Sequence, residues 1–393
     1  MSKASGIVIV GGGLAAARTA EQLRKSGYQG PVAIVSAEKH LPYDRPPLSK
    51  DVLHDTGKGL HDVLLRPAEF YDDNDIALVL GTAAQSLDTA ARTVTLTDDR
   101  VLDYDELVIA TGLEPKRIPS LDLAGVRVLR SFDEALALRE HATSARRAVI
   151  VGAGFIGCEV AASLRTLGVE VALVEPQPTP LAAVLGERIG ELVARVHRAE
   201  GVDVRTGVGV AAVRGDTEVS AVELTDGTVL DADLVVVGIG SRPATDWLVG
   251  SGVALDNGVL CDEVGRTSEP HVWALGDVAS WRDARGHQIR VEHWSNVADQ
   301  ARVMVPSMLG QEPPEVVAVP YFWSDQYDVK IQCLGEPSPD DIVHVTEDDG
   351  RKFLAYYERD GVLVAVVGGG MPGKVMKARA KIAAGAPIAE VLG

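Results

Sequence analysis

Ala148 to Glu175 reads AVIVGAGFIGCEVAASLRTLGVEVALVE, and this stretch decides the fold. Four apolar residues, Ala148 to Val151, have the texture of a buried parallel strand. Gly152, Gly154 and Gly157 follow in G-x-G-x-x-G spacing, and Ile156 to Leu167 is a helix-length run closed by Gly168. Val169 to Val174 predicts a second strand, with the acidic Glu175 at its end. Each part has a physical task. The first glycine permits the tight turn, the second lets backbone approach a pyrophosphate, and the third lets helix and strand pack closely. The phosphates sit at the helix N-terminus, and an acid after the second strand accepts hydrogen bonds from a ribose. The glycine triplet alone is weak evidence. Here strand, helix, second strand and acid stand in order around it.

An earlier copy of the same device opens the chain. Ile7 to Val10 is a strand, Gly11, Gly13 and Ala16 give G-x-G-x-x-A, a helix runs to about Lys25, and Val32 to Val35 is the next strand. This copy departs at one place: Ser36 and Ala37 stand where the acid would be, and the nearest carboxylate is Glu38. A third triplet, Gly368, Gly370 and Gly373, also lies between a strand and a helix, but no strand follows it and it reads as a turn.

A chain of 393 residues exceeds one ordinary core and predicts two or three domains. With 46% hydrophobic and 24% charged residues it has the composition of a soluble globular protein. The net charge of −18 argues against bulk binding to nucleic acid or anionic membrane. The three cysteines, Cys158, Cys261 and Cys333, form neither a C-x-x-C pair nor a zinc spacing, and no metal site is expected. The run Ile7–Val10 is too short for a signal-peptide core, and the expected compartment is the cytoplasm.

Between and after the two units the chain is more varied. His40 to Lys50, HLPYDRPPLSK, reads as a proline-stiffened loop without helical period, its cations Arg45 and Lys50 suited to facing an anion. Residues 76 to 104 predict short β segments, and Val202 to Val237 reads as a β meander with a hairpin at Asp226–Gly227. Three apolar strands end in Ala110-Thr111-Gly112, Gly238-Ile239-Gly240 and Gly276-Asp277, the edge at which doubly wound sheets bind ligands. From about Pro320 an aromatic, amphipathic texture begins, with strands at Phe353–Tyr357 and Val362–Val367 and then a basic C-terminal helix. The fold class is thus α/β: two three-layer dinucleotide-binding domains plus a C-terminal α+β domain.

In this order LPYDRPPLSK, GFIGCE, WALGDVA, VEHW and YFWSDQY resemble the FAD-dependent NADH:ferredoxin reductases of oxygenase systems, the putidaredoxin-reductase type within the pyridine nucleotide-disulfide oxidoreductase superfamily. The likeness covers essentially the whole chain. It implies an FAD-binding domain from residues 1–113 and 243–318, an NAD-binding domain over 114–242, and a C-terminal interface domain over 319–393. Gly11, Gly13, Leu14 and Ala15 would hold the FAD pyrophosphate, with Arg45 and Lys50 nearer the flavin. Asp277 would bond the ribitol region, Trp294 would lie along the isoalloxazine, and Ala84, Arg130 and Trp323 match further FAD contacts. Gly152, Gly154, Ile156, Gly157, Glu159, Glu175 and the Gly238, Ile239, Gly240 strand end would take NADH. Glu175 bonds a free 2′-hydroxyl and repels a 2′-phosphate, so NADH is preferred over NADPH.

The resemblance also implies the reaction, in which NADH reduces FAD and the flavin reduces a [2Fe–2S] ferredoxin. It puts Lys50 and Glu159 together near the flavin N5 as the catalytic pair. Plainer readings stand beside these: Lys50 as a solvated lysine, Glu159 as an acid in the first turn of its helix, the tryptophans as core aromatics, Asp277 as a turn residue. A ferredoxin of this type is acidic, so docking on an acidic chain needs a basic patch, expected near Arg351, Lys352, Lys374, Lys377, Arg379 and Lys381. Competing functions are a cysteine-dependent NADH oxidase or disulfide reductase, disfavoured because no cysteine precedes Cys158, and an NADH-sensing interaction protein of the apoptosis-inducing-factor type.

Overall fold

The structure, a computed structural model, describes residues 6–118, 123–283, 285–316 and 319–392. They divide into two compact units, the first Met1–Asp44, Leu60–Glu114 and Arg242–Ala318, the second Arg45–Gly59, Pro115–Ser241 and Val319–Gly393.

In the first unit Ile7–Val10 lies mid-sheet, parallel to Val32–Ser36 on one side and Glu106–Ile109 on the other; Ile76–Leu80 and Val272–Ala274 form the edges. All four residues of the central strand are buried, because both sheet faces are covered. Strand periodicity sends Ile7 and Ile9 to a cluster with Ala16 and Ala20 of the helix Leu14–Lys25 and Met304 of the helix Trp294–Met308. Val8 and Val10 face Leu87, Val94 and Leu96. These belong to an antiparallel sheet of Ala84–Asp88, Thr93–Leu96 and Val101–Asp103, the short β segments expected between residues 76 and 104.

The second unit repeats the plan. Its parallel sheet runs in the order Asp203–Thr206, Glu170–Glu175, Arg147–Val151, Leu234–Val237, Val126–Arg127. Ala148 and Ile150 pack toward the helices Phe155–Thr166 and Ala182–Ala199, while Val149 and Val151 meet Val222 and Leu224 of an antiparallel sheet. The segment expected as one meander is therefore three pieces. Only Val210–Gly215, Val219–Leu224 and Val229–Asp231 form the antiparallel sheet, and the flanking strands join the parallel one. Val204 and Val235–Val236 pair with buried parallel neighbours, which local alternation does not reveal.

The C-terminal strands form a five-stranded antiparallel sheet, ordered Tyr321–Gln326, Val329–Gly335, Val362–Gly369, Phe353–Arg359, Ile342–Asp348. One face shares an apolar cluster with the nucleotide-type helices through Phe322, Ile331, Phe353 and Val367, and Phe322 meets Phe155 edge-on at 5.0 Å. Such a ring pair contributes about 0.5–1.5 kcal/mol beyond burial. On the other face Leu334, Leu354 and Val366 pack against Val375 and Ala378. The expected single basic helix is instead three short ones, Pro372–Lys377, Arg379–Ala383 and Ala389–Leu392. Of the third glycine triplet, Gly368 serves packing, since a Cβ there would lie 2.6 Å from Val375, whereas one on Gly373 would meet nothing within 4 Å.

Candidate functional site

Each glycine turn brings its strand end against the neighbouring strand end. Gly11 has φ +138°, and a Cβ there would sit 2.1 Å from the Ala110 carbonyl oxygen. Gly152 has φ +99°, and its Cβ would sit 2.4 Å from the Gly238 oxygen. The Ala110 and Gly238 amides donate to Val10 and Val151 at 2.8 and 2.7 Å, so the ATG and GIG strand ends occupy equivalent places. A Cβ on Gly157 would come 2.0 Å from the Gly152 oxygen, the close helix–strand approach expected of the third glycine. Gly154 differs: a Cβ there meets nothing within 4 Å. That open space lies at the N-cap of Phe155–Thr166. Neither this helix nor Leu14–Lys25, capped by Gly13, has a side-chain cap or an acid in its first turn. Uncapped amide groups with open space above them fit a pyrophosphate.

In the first unit Leu14 is half-buried and Ala15 buried at the start of their helix. A Cβ on Gly276 would touch the Ala15 Cβ at 3.0 Å, so the Gly276–Asp277 strand end lies against the glycine turn. Asp277 is half-buried, and Ala84 begins a strand of the antiparallel sheet. Trp294 opens its helix, donates Nε1–H to Asp44 Oδ1 at 2.7 Å and carries the Arg18 guanidinium 5.8 Å from its ring centre. Two residues on, Asn296 Nδ2 is buried without a hydrogen bond, a donor left for a bound molecule. Ser36, which replaces the acid, is buried beside Gly12, and Glu38 accepts from the Tyr43 hydroxyl at 2.5 Å.

In the second unit Ile156 and Ile239 are 44% and 38% exposed, apolar side chains at the mouth of the turn. Gly240 is exposed beside them in sequence, with φ +93°. Glu175 is half-buried: Oε2 accepts the Ala153 amide at 2.7 Å and Oε1 that of Gln177 at 2.9 Å. Each carboxylate oxygen has a further acceptor site for a ribose hydroxyl.

His40 to Lys50, expected as an irregular loop, contains a 3-10 turn, Pro46–Ser49, because the paired prolines pre-set helical φ values, and a helical turn, Asp51–His54, follows it. The 3-10 turn aims Ser49 and Lys50 at Glu159. Lys50 Nζ lies 2.7 Å from Glu159 Oε2 and donates to the Pro46 carbonyl at 2.9 Å. Ser49 Oγ donates to the same carboxylate oxygen at 2.5 Å, and Ser324 Oγ donates to Oε1 at 2.7 Å. Glu159 is only 3% exposed and sits in the second turn of Phe155–Thr166, so it is no solvated first-turn acid. Arg45 Nη1 donates to the Arg130 carbonyl at 2.6 Å, just before the capping box of Ser131 and Glu134. Trp323 stacks on Tyr321 at 5.9 Å and 21°, with Lys330 Nζ 5.9 Å from its ring.

Ser49, Ser324, Gln326 and His197 escaped the sequence reading. One signal was present: YFWSDQ alternates, and Phe322, Ser324 and Gln326 share the buried face, so two polar residues occupy core positions. Burial pushes the His197 imidazole down to about 4, leaving it neutral. The three thiols are buried and unbridged, and burial, then the Glu159 and Glu175 charges, push Cys158 up. On the basic patch, Arg351 is held by Asp328 and Glu200, Lys374 by Glu347 and Lys381 by Glu390. Among the described residues Lys352, Lys377 and Arg379 are exposed and form no ion pair. No helix among the described residues is long and apolar enough to cross a membrane, and no cluster of His, Cys, Asp and Glu could hold a metal ion.

Residues 5–301 match the pyridine nucleotide-disulphide oxidoreductase family, and residues 321–392 match the reductase C-terminal domain. A ferredoxin–NAD(P)+ reductase of a Sphingomonas species is 40% identical over 92% of this chain and 88% of its own. The ferredoxin–NAD+ reductase component of the anthranilate 1,2-dioxygenase system of Burkholderia cepacia is 36% identical over 96% and 94%. Among solved structures, the covalent putidaredoxin reductase–putidaredoxin complex superposes with a TM-score of 0.94 at 32% identity, covering 100% of this chain and 96% of the other.

Proposed function

Because the chain belongs to the pyridine nucleotide-disulphide oxidoreductase family, we propose that it is a flavoprotein reductase carrying electrons from NADH through FAD to a [2Fe–2S] ferredoxin that serves an oxygenase. The observation that carries this reading is the doubled glycine turn, each copy with close strand ends and an uncapped helix, in a chain whose cysteines are all buried. Buried thiols count against the cysteine-dependent oxidases and disulfide reductases. When bound, the flavin supplies the chemistry, accepting a hydride from the nicotinamide and releasing electrons singly.

The protein's part is binding, orientation and charge. Gly11, Gly13, Leu14 and Ala15 hold the FAD pyrophosphate; Arg45, Ala84, Arg130, Asp277, Trp294 and Trp323 complete the FAD contacts. Gly152, Gly154, Ile156, Gly157 and the Gly238, Ile239, Gly240 strand end would hold NADH. Residues 1–113 with 243–318, 114–242 and 319–393 then act as FAD-binding, NAD-binding and interface domains. Glu175 accepts from the ribose, and its charge excludes a 2′-phosphate. Lys50 and Glu159 act as the pair that orients the reacting rings, and a cation there favours an anionic reduced ring.

Ferredoxin docking falls to Lys352, Lys377 and Arg379, because the other three cations of the patch are already neutralised. Cytoplasmic residence completes the reading. The test is a spectrum of the purified protein and a screen of [2Fe–2S] ferredoxins with NADH and NADPH, read as cytochrome c reduction. A yellow protein with NADH-preferring, ferredoxin-dependent turnover is expected. A protein that takes up no FAD, or turnover indifferent to ferredoxin, overturns the proposal.

A further inference from the structure

Glu159 receives more than Lys50 and Ser49. Gln326 Nε2 donates to Ser324 Oγ at 3.1 Å, His197 Nε2 lies 3.0 Å from Gln326 Oε1, and His197 Nδ1 lies 3.0 Å from the Tyr327 hydroxyl. The hydrogens can be followed by elimination. Gln326 uses its NH2 toward Ser324, so its carbonyl oxygen accepts from His197 Nε2–H. A neutral imidazole carries one N–H, so Nδ1 accepts and Tyr327 donates to it. The single hydroxyl hydrogen of Ser324 then goes to Glu159 Oε1. Every donor in the chain therefore points toward the same carboxylate, and in such chains each bond polarises the next.

The arrangement is costly to build by chance. Ser324, Gln326 and His197 are all buried, in a strand face and a helix end where apolar residues would pack. Isolated buried polar groups destabilise a core, whereas a fully connected set does not. Phe322 on the same strand face follows the apolar rule, so the exceptions are confined to the positions that reach Glu159.

We propose that Ser324, Gln326, His197 and Tyr327 are positioning residues for hydride transfer, acting through Glu159 by fixing the orientation of its Oε1 while Ser49 and Lys50 fix Oε2. This rests on the reading above that Glu159 serves the reacting rings. In that light the interface domain is a working part of the reductive half-reaction, because its first strand supplies two members of the chain.

The experiment combines S324A, S324T, Q326L and E159A, singly and S324A with E159A, in the FAD-loaded protein. Stopped-flow bleaching of the flavin by NADH should slow about tenfold in S324A, with the NADH dissociation constant changed less than about twofold. S324T, which keeps the hydroxyl, should recover most of the rate, and Q326L should fall between S324A and the parent. In the E159A background S324A should cost nothing further, since the group it acts through is gone. Independently of turnover, infrared difference spectra should show the Glu159 carboxylate band, assigned by its loss in E159A, shifted in S324A and restored in S324T. Additive effects of S324A and E159A, or a carboxylate band unmoved by S324A, overturn the positioning role. If E159A itself leaves the bleaching rate unchanged, the role assigned to Glu159 under the proposed function fails instead. If E159A slows it and S324A does not, only this inference fails.

Discussion

Replacing Glu175 by alanine separates the two tasks of that carboxylate. Its oxygens already accept the Ala153 and Gln177 amides at 2.7 and 2.9 Å, which holds the acid over the glycine turn. The remaining acceptor sites are the ones a ribose would use. A hydrogen bond to a charged acceptor contributes about 1.5–3 kcal/mol, so kcat/KM for NADH should fall roughly tenfold to 150-fold in E175A. Gln177 is exposed and water can replace its acceptor, but Ala153 is buried, so E175A should also lose about 1–3 kcal/mol of stability through that orphaned amide. For NADPH the sign differs, because removing the carboxylate also removes its repulsion of the 2′-phosphate. The preference for NADH over NADPH should therefore shrink, and in Glu175→Arg it should invert. The assay is steady-state ferricyanide reduction with each nucleotide, with unfolding curves as control. An NADH kcat/KM within about threefold of the parent, or an unaltered preference, would refute the assignment.

Gly157→Ala forces a Cβ to within 2.0 Å of the Gly152 oxygen, so it should cost about 1–3 kcal/mol of stability along with NAD+ binding, whereas Gly154→Ala, entering open space, should weaken binding and leave the unfolding midpoint in place. Calorimetric titration with NAD+ beside urea unfolding distinguishes the pair. Lys50→Met leaves the buried Glu159 with hydroxyl donors alone; a loss of about 3–5 kcal/mol and slower flavin reduction are expected, and an unchanged midpoint would show the pair to be slack. His197 is held at about 4 in the folded chain against an ordinary value of 6.5. Its contribution is therefore complete above about pH 6.5 and lost as the pH falls toward about 4, a change near 3 kcal/mol in all. H197Q should flatten that acid limb in urea unfolding at graded pH, and an unaltered slope would assign the limb elsewhere. Charge reversal at Lys377 and Arg379 should raise the ferredoxin KM and spare ferricyanide reduction; equal effects on both assays would reject the patch.

Local signals carried the reading of the nucleotide units, because glycine turns and buried parallel strands are specified by residues adjacent in sequence. Arg147–Val151 and Phe155–Thr166 lie within a residue or so of the predicted strand and helix. The errors fell where pairing is non-local. Asp203–Thr206 and Leu234–Val237 look like members of a meander until their parallel partners are known. The basic C-terminal segment breaks into short helices where the chain turns to cover Leu334, Leu354 and Val366. Two of the six patch cations are held by acids distant in sequence, Arg351 by Glu200 and Lys374 by Glu347, while Lys381 pairs with the nearer Glu390.

Glu159 marks the division most clearly. Its place after the second glycine motif is legible from residues 148 to 175, as are the turn, the helix and the acid Glu175 at the end of the second strand, all specified by short-range backbone sterics and strand periodicity. What surrounds it is not. Ser49 and Ser324 reach it across sequence separations of 110 and 165 residues, and His197 joins only through Gln326. No periodicity or spacing rule spans such distances, because side-chain hydrogen bonds between separate elements exist only once the sheets and helices have packed. Sequence alone determined the two dinucleotide-binding units and carries the proposal of which nicotinamide nucleotide is favoured. Tertiary structure alone decided that a buried run of donors converges on one carboxylate.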